Sequence, residues 1–442
     1  MPALAAGRDQ PDGGRFRSRH STRELMAVRN PDESGQLRAI SMKRAFLSAG
    51  HLPTLVACFA YFDVSFAVWV LLGPLAVLIA RDIELDAGQK GLMVAVPVLA
   101  GAVLRVVNGI LVGRLGGRIT GIVMQLVVIV GLVAAWLLGI GSFAQLLVLG
   151  CLLGVAGASF AIALPMVSYW YPPQHQGTAL GIAGAGNSGT VFASLLAPTL
   201  ALTIGWQNVL GLAAAVLAAV LLLFLVAARD SPSAPPSRPM AHYAGLLAAA
   251  DAWWLMFFYG VTFGGFVGLS SFLPIYFHDQ YGLSPVDAGY FTAACVFAGS
   301  LARPFGGLLA DRIGGTRALL IIYAIVAAIL SAISEGSLPA ASALAVLLVG
   351  MIAFGLGNGA VFQLVPQRFG QDVGPMTGLV GMTGGIGGFV LAASLGYARE
   401  FTASYGPGFA LFAALAVSAW AGIAAVRGRW REDAALLAGV RI

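Results

Sequence analysis

Charged residues are scarce in this sequence. Only 10% of its 442 residues are Asp, Glu, Lys or Arg, whereas 59% are hydrophobic. An ordinary soluble domain carries about 25% charged residues. The composition therefore excludes a soluble globular protein and predicts an all-α polytopic membrane protein.

Cysteine and histidine are also rare. Cys58, Cys151 and Cys295 all lie inside apolar runs, which argues against a disulfide framework and predicts buried free thiols. None of the five histidines stands at a spacing typical of a metal site. Nucleophile motifs and paired carboxylates are missing as well. We therefore expect no metal, no cofactor and no enzymatic activity.

Long apolar segments follow one another from about residue 51, and each is long enough to cross a membrane as a helix. They predict twelve spans, helix 1 to helix 12, with bounds good to a few residues: roughly 51–80, 89–113, 118–140, 143–170, 176–204, 206–228, 251–278, 285–310, 315–334, 339–366, 374–398 and 406–427. The Pro- and Ser-rich stretch RDSPSAPPSRPM begins at Arg229 and separates six spans from six. The predicted domains are a disordered cytoplasmic tail (1–45), a six-helix bundle (46–228), a cytoplasmic linker (229–250), a second bundle (251–427) and a cytoplasmic tail (428–442).

The positive charges are placed asymmetrically. All but five of the 25 Lys and Arg fall in the tails, the linker or the loops on the same side as both termini. The exceptions are Arg81, Lys90, Arg105, Arg303 and Arg399. Cytoplasmic loops carry such an excess of Lys and Arg. The net charge of +6 is thus explained by membrane topology and not by a nucleic-acid partner, and both termini are predicted to be cytoplasmic.

An internal repeat relates the two halves. Residues 104–118, LRVVNGILVGRLGGR, recur at 302–316 as ARPFGGLLADRIGGT, with an offset of 198 positions. The repeat aligns Arg105 with Arg303 and Arg114 with Arg312. Glycines of helices 5 and 11 recur at an offset of 197, and Gly and Pro of helices 4 and 10 at 201. Repeated six-helix halves are typical of secondary transporters, whose substrate lies near the midplane between the repeats.

Arg105 and Arg303 are the least expected residues of the repeat. Each lies nine residues, roughly 13 Å of helix, before the arginine that ends its span, near the middle of a hydrocarbon layer about 30 Å thick. A guanidinium there costs at least about 2.5 kcal/mol without a partner. Asp63 is the only acid that we place well inside a span. Two deep arginines with at most one carboxylate predict a site for an anion.

At this point the sequence resembles a known family. The turn sequences GRLGGR and ADRIGGTR, within a 6 + 6 arrangement, resemble the major facilitator superfamily. The glycine-rich segments QGTALGIAGAGNSGTVFASLLAP (176–198) and GLVGMTGGIGGFVLAASLG (378–396) resemble the two signature motifs of its nitrate/nitrite porter family. The likeness runs from about Leu52 to Trp420.

The resemblance implies specific roles for residues. In this family the two equivalent arginines bind the substrate, so Arg105 and Arg303 are expected to hold nitrate or nitrite. It also implies that Asn187 helps to bind the anion and that an aromatic slot closes the site. The slot residues, matched by motif, are Phe160, Tyr259 and Phe263. The signature glycines are Gly184, Gly186, Gly189, Gly381, Gly384 and Gly385.

Two features carry competing interpretations. Gly184, Gly186 and Gly189 match the spacing of a dinucleotide loop, but no strand precedes them and the helix is apolar, so close helix packing is the better interpretation. Asp63 is either a proton carrier or a structural partner for polar neighbours. The sequence does not choose between these two roles.

The predicted function is transport of nitrate and nitrite across a bacterial inner membrane by alternating access. The transporter is predicted to be a monomer. Its expected partners are these anions, the lipid bilayer and, if it is a symporter, protons. Nitrate/nitrite antiport and nitrate/proton symport both remain open. Two rival hypotheses are a facilitator for another small or organic anion and a membrane sensor that binds nitrate without moving it.

Overall fold

A computed structural model describes residues 46–233 and 240–436. The predicted tail 1–45, residues 234–239 of the linker and the last six residues lie outside these ranges. The described part is helical with no strand, and it contains twelve helices long and apolar enough to span a membrane. The protein is therefore a multi-pass membrane protein with the predicted number of spans.

The spans agree with the predicted bounds to within a few residues, except at the chain's end. Helices 1 to 6 run over Leu52–Ile83, Ala87–Leu115, Gly117–Leu138, Phe143–Trp170, Thr178–Ile204 and Trp206–Ala227. Helices 7 to 12 run over Ala250–Tyr281, Pro285–Ile313, Gly315–Ser334, Ala340–Phe369, Val373–Thr402 and Gly406–Glu432. Since the number is even, helix 1 begins and helix 12 ends on one side, which we call the termini face; the other side is the opposite face.

Three spans in the N-terminal half are interrupted. Helix 1 breaks at residues 70–71 and helix 4 at residues 158–159. Helix 5 consists of two α-helices joined by the 3₁₀ turn Ala185–Ser188. The first, Pro173–Gly184, begins five residues before the span itself, and the second is Gly189–Ile204. Continuous apolar runs conceal such breaks, so the sequence predicted single helices here.

Two helical segments lie in stretches that were predicted as a linker and a tail. A short helix, Met240–Leu246, occupies part of the predicted linker. Helix 12 continues as one helix to Leu436, beyond the predicted start of the tail at residue 428. The extension is held because the Trp430 indole is fully buried and donates to Asp251 Oδ1, which also accepts from Arg429 Nη2.

One cysteine prediction was wrong. Cys58 and Cys295 are buried free thiols, but Cys151 is exposed. Helix 4 is apolar on all sides, so an apolar neighbourhood in sequence does not distinguish its packed face from the face turned to lipid.

Within residues 46–233 and 240–436, the close glycine contacts between the two halves lie toward the opposite face. A Cβ on Gly91 of helix 2 would lie 2.7 Å from Gly396 Cα of helix 11, and one on Gly289 of helix 8 would lie 2.5 Å from the Ser194 oxygen of helix 5. Gly73 of helix 1 approaches Ser271 of helix 7 in the same way, at 2.4 Å. Small residues permit this backbone approach.

Toward the termini face the same helices are apart. Five glycines of helices 2, 5 and 11 on this side have no neighbouring atom within 4 Å of an added Cβ. They are Gly109, Gly181, Gly184, Gly374 and Gly378. The space between the halves is therefore open toward the termini face and closed toward the opposite face.

Candidate anion-binding site

Arg105 lies where the closed part of the interface meets the open part. Its side chain is 3% exposed, and its Nε donates to Gly157 O at 3.3 Å. This carbonyl lies at the break in helix 4, where Asn108 Nδ2 of helix 2 also donates, to Ala158 O at 3.3 Å. The break thus supplies backbone acceptors that hold the polar side chains of helix 2.

The same guanidinium crosses to the other half of the molecule. Arg105 Nη1 donates to Gly381 O of helix 11 at 2.7 Å. Nη2 is buried and has no hydrogen-bond partner. A buried donor without a partner costs about 1–3 kcal/mol. Arg105 therefore presents an unused donor that a ligand can satisfy.

Arg303 occupies the equivalent position on helix 8 and is half-buried. Its Nη2 donates to the Tyr259 hydroxyl at 3.3 Å. Within residues 46–233 and 240–436, no ion pair joins Arg105 or Arg303 to a carboxylate. The two positive charges thus lack the acidic partners that would make them structural.

Aromatic rings surround both guanidinium groups. The Phe160 ring centre lies 5.8 Å from Arg105 Cζ and 6.0 Å from Arg303 Cζ. Both guanidinium groups therefore lie beside the same ring. Phe263 lies 5.1 Å from Arg105 Cζ and stacks on Tyr259, with centroids 5.1 Å apart and planes at 8°. The faces of these rings attract cations, so they stabilise both guanidinium groups in the absence of a carboxylate.

Two further rings belong to this group and were missed from the sequence. Phe362 of helix 10 lies 5.6 Å from Arg303 Cζ and 4.9 Å from the Tyr259 ring. Trp69 lies 5.1 Å from Arg105 Cζ and donates to Pro97 O at 2.7 Å. Phe362 follows Phe160 by 202 positions, one more than the offset of the helix 4 and 10 repeat, and this was a signal that could have identified it. Trp69 carries no such signal.

Asn187 lies in the 3₁₀ turn of helix 5. Its side chain is 4% exposed, and its Oδ1 is buried without a hydrogen-bond partner. The neighbouring Ser188 hydroxyl donates to Asp63 Oδ1 of helix 1 at 2.7 Å. The break in helix 5 therefore places two polar side chains in the middle of a mostly apolar span.

Four of the six signature glycines lie at close contacts with a neighbouring helix. A Cβ on Gly186 or Gly189 would strike helix 1, at 2.4 Å from Phe62 Cδ1 and 1.8 Å from Asp63 O. One on Gly384 would lie 2.7 Å from the Tyr259 ring, and one on Gly385 would lie 2.5 Å from Ala102 Cβ. These contacts agree with helix packing and not with a nucleotide loop.

The other two signature glycines differ. Gly381 supplies the carbonyl that accepts from Arg105, and a Cβ there would make ordinary contact with Arg105 Cδ at 3.8 Å. Gly184 faces open space. Their small size is therefore not required by packing in this conformation.

Comparison with known proteins agrees with this arrangement. Residues 57–392 match the Major Facilitator Superfamily. The chain is 36% identical to the probable nitrate/nitrite transporter NarK2 of Mycobacterium tuberculosis, over 74% of this chain and 84% of the relative. It is 32% identical to the nitrite extrusion protein of Bacillus subtilis, over 80% of this chain and 89% of the relative. The chain belongs to the nitrate/nitrite porter family of the major facilitator superfamily.

Solved structures of two other transporters share the fold of this chain. A bacterial homologue of the human lysosomal transporter Spinster, in an inward-facing and unoccupied conformation, matches with a TM-score of 0.65 at 18% identity, over 86% of this chain and 97% of that chain. The nucleoside transporter NupG matches with a TM-score of 0.65 at 12% identity, over 84% and 99%. At these identities the likeness concerns the fold alone.

Proposed function

We propose that this porter carries nitrate and nitrite by alternating access, with Arg105 and Arg303 binding the anion between the two halves. The observation that carries the proposal is the pair of guanidinium groups within 6.0 Å of one aromatic ring, with no carboxylate paired to either. A bound anion would neutralise charge that the protein leaves uncompensated. It would also accept from Arg105 Nη2, which has no partner.

Nitrate and nitrite fit the chemistry of these side chains. Guanidinium is planar and permanently charged, and it can donate two parallel hydrogen bonds to a small oxyanion. The stacked Tyr259 and Phe263 rings and the Phe160 ring suit a flat ion better than a tetrahedral one. Relatives named for nitrate and nitrite transport at 32–36% identity support this choice.

The orientation follows from the arginine and lysine count. We infer that the termini face is cytoplasmic, in the inner membrane of a bacterium, because the tails, the linker and the loops on this face together hold all but five of the 25 Lys and Arg. The opening toward the termini face is then an inward-facing state. Residues 46–228 and 251–427 are the two bundles that rock against each other around the arginines.

Coupling to a second ion is needed for uptake. Entry of a monovalent anion into a cytoplasm negative by about 100 mV is opposed by about 2.3 kcal/mol. Exchange for nitrite removes this cost, and an empty site with two like charges would resist closing. Symport with protons is the second possibility, and both can be tested in one preparation.

The test is nitrate uptake into proteoliposomes that contain purified protein, with nitrite, with chloride or with a bulky organic anion inside. We expect rapid uptake against internal nitrite and little uptake against the organic anion. Equal exchange for the organic anion would favour a facilitator of broader specificity. Nitrate binding without any uptake or exchange would favour a sensor.

A further inference from the structure

The turn in helix 5 is packed directly on the backbone of Asp63. A Cβ on Gly189 would lie 1.8 Å from Asp63 O, and one on Gly186 would lie 3.0 Å from Asp63 N. The backbones of helices 1 and 5 are therefore in direct contact at Asp63, so a shift of helix 1 here is passed to helix 5. Such a shift acts on the turn Ala185–Ser188, which carries Asn187.

The Asp63 carboxylate is half-buried inside helix 1. It accepts from the Ser188 hydroxyl at 2.7 Å, and that hydroxyl is neither charged nor titratable. No ion pair in the described ranges includes Asp63. Of its titratable neighbours on helix 1, Tyr61 donates to Gly121 O of helix 3, and Cys58 is a buried thiol. Asp63 is thus an acid inside a membrane span without a counter-ion.

Ser188 has one hydroxyl hydrogen and two acceptors within reach. Its Oγ lies 2.7 Å from Asp63 Oδ1 and 2.8 Å from Ala185 O, the first residue of the turn. When Asp63 is ionised, the hydrogen is drawn to the carboxylate. When Asp63 is protonated, its own O–H donates to Ser188 Oγ, and the serine hydrogen turns to Ala185 O. The hydrogen bond that closes the turn therefore depends on the protonation state of Asp63.

We propose that Asp63 and Ser188 form a proton-binding site that couples proton and anion transport through the turn bearing Asn187. This inference rests on the proposed function. Asn187 follows Ala185 within the turn and presents a buried, unpartnered Oδ1. The adjacent Phe62 ring lies 5.6 Å from Phe160, which contacts both arginines. Protonation of Asp63 thus acts on the turn that carries Asn187 and takes place next to Phe62, whose ring contacts Phe160.

Carrying a proton together with nitrate would remove the electrical cost of nitrate uptake. One proton carried with one nitrate moves no net charge, so the membrane potential no longer opposes entry. A gradient of about one pH unit then supports about tenfold accumulation of nitrate, since each 1.4 kcal/mol corresponds to a factor of ten. Exchange for nitrite needs no proton and remains available.

The first experiment measures nitrate accumulation in proteoliposomes at zero membrane potential, with the outside about one pH unit more acidic and no nitrite inside. Wild-type protein should accumulate nitrate about tenfold. Asp63→Asn should lose this accumulation while still exchanging external nitrate for internal nitrite, because the Asn amide donates to Ser188 as a protonated carboxyl would. Ser188→Ala should behave in the same way, because it removes the relay to the turn.

Two matched controls separate coupling from damage. Asp82→Asn removes an acid at the far end of helix 1, where it accepts from Trp206 Nε1. Ser194→Ala removes a helix 5 hydroxyl that donates only to Thr190 O. Both should accumulate nitrate as the wild type does.

A second measurement covers variants that fail to fold. Adding nitrate to wild-type protein in weakly buffered detergent solution should remove about one proton from solution per anion bound. Absence of proton uptake, or accumulation by Asp63→Asn equal to wild type, would overturn the inference. Wild-type protein that exchanges nitrate for nitrite without responding to the pH gradient would also overturn it, while leaving the proposed function intact. Protein that neither exchanges nor accumulates would contradict the proposed function itself.

Discussion

Arg105 uses each of its nitrogen atoms differently. Nε is bound within its own half, to Gly157 O, Nη1 is bound across the interface to Gly381 O, and Nη2 is free for a ligand. A lysine ammonium has all its donors on one nitrogen, so it cannot hold both carbonyls and also present a donor at the position of Nη2. The geometry of the guanidinium, and not only its charge, is therefore required.

We predict that Arg105→Lys weakens nitrate binding by at least about tenfold, since hydrogen bonds to charged groups contribute about 1.5–3 kcal/mol each. Isothermal titration of nitrate into purified protein measures this loss directly. Arg114→Lys is the matched control, because Arg114 is exposed at the end of the same helix. Near-normal nitrate affinity in Arg105→Lys would remove Arg105 from the binding site.

Among single residues, the sequence identified the charged and motif residues of the candidate site better than the aromatic rings that surround them. Arg105 and Arg303 stood out because charge is costly inside a membrane, and motif resemblance supplied Phe160, Tyr259, Phe263 and Asn187. Phe362 was missed among 25 phenylalanines because its place in the helix 4 and 10 repeat, 202 positions after Phe160, was not used. The roles of all these residues in binding remain predictions.

Among the elements, helix 5 depends most on small residues. Its turn, Ala185–Ser188, contacts helix 1 through Gly186 and Gly189, whereas Gly184 one residue earlier faces open space. Composition predicted close packing for all three glycines. It could not tell them apart, because the 3₁₀ turn rotates one of them away from the neighbouring helix.

We predict that Gly189→Ala destabilises the protein by about 1–3 kcal/mol, as expected when a methyl group is forced into a filled interface. The added Cβ would lie 1.8 Å from Asp63 O, so helices 1 and 5 must separate. Thermal unfolding in detergent measures the change. Gly184→Ala should leave the unfolding temperature unchanged or slightly higher, and an equal loss in both variants would contradict the packing argument.

Helix 12 offers a second prediction on this scale. The sequence placed its end near residue 427 because the apolar run stops there, yet the helix continues and buries Trp430 against Asp251 and Phe258.

We predict that Trp430→Ala lowers the free energy of unfolding by about 3–5 kcal/mol, the usual loss for a buried tryptophan. The same unfolding assay measures it, and Trp420→Ala, which truncates an exposed tryptophan of the same helix, should have little effect. A small loss for Trp430→Ala would mean that the extension is not part of the folded core.

For the whole molecule, the closed side of the interface is joined by polar bonds as well as by glycine contacts. Lys90 of helix 2 pairs with Asp279 of helix 7 at 2.6 Å, and the Tyr405 hydroxyl donates to the same carboxylate at 3.1 Å. Burial and the neighbouring Asp279 raise the pKa of Tyr405, which keeps the phenol protonated as a donor. The Ala87 N–H donates to Glu400 Oε2 at 3.1 Å. Lys90 and Ala87 belong to one half, and Asp279 and Glu400 belong to the other.

Alternating access requires these bonds to break when the opposite face opens. We predict that Asp279→Asn shifts the population toward the state open at that face by a few-fold, since a partly exposed ion pair contributes up to about 1 kcal/mol. Spin labels on Glu84→Cys and Leu283→Cys, in a variant without native cysteines, would report a longer distance. Asp82→Asn is the matched control, because it removes an acid on the same face whose partner, Trp206, belongs to the same half. If both variants shift the distance equally, or neither does, the Lys90–Asp279 pair does not hold the opposite face closed.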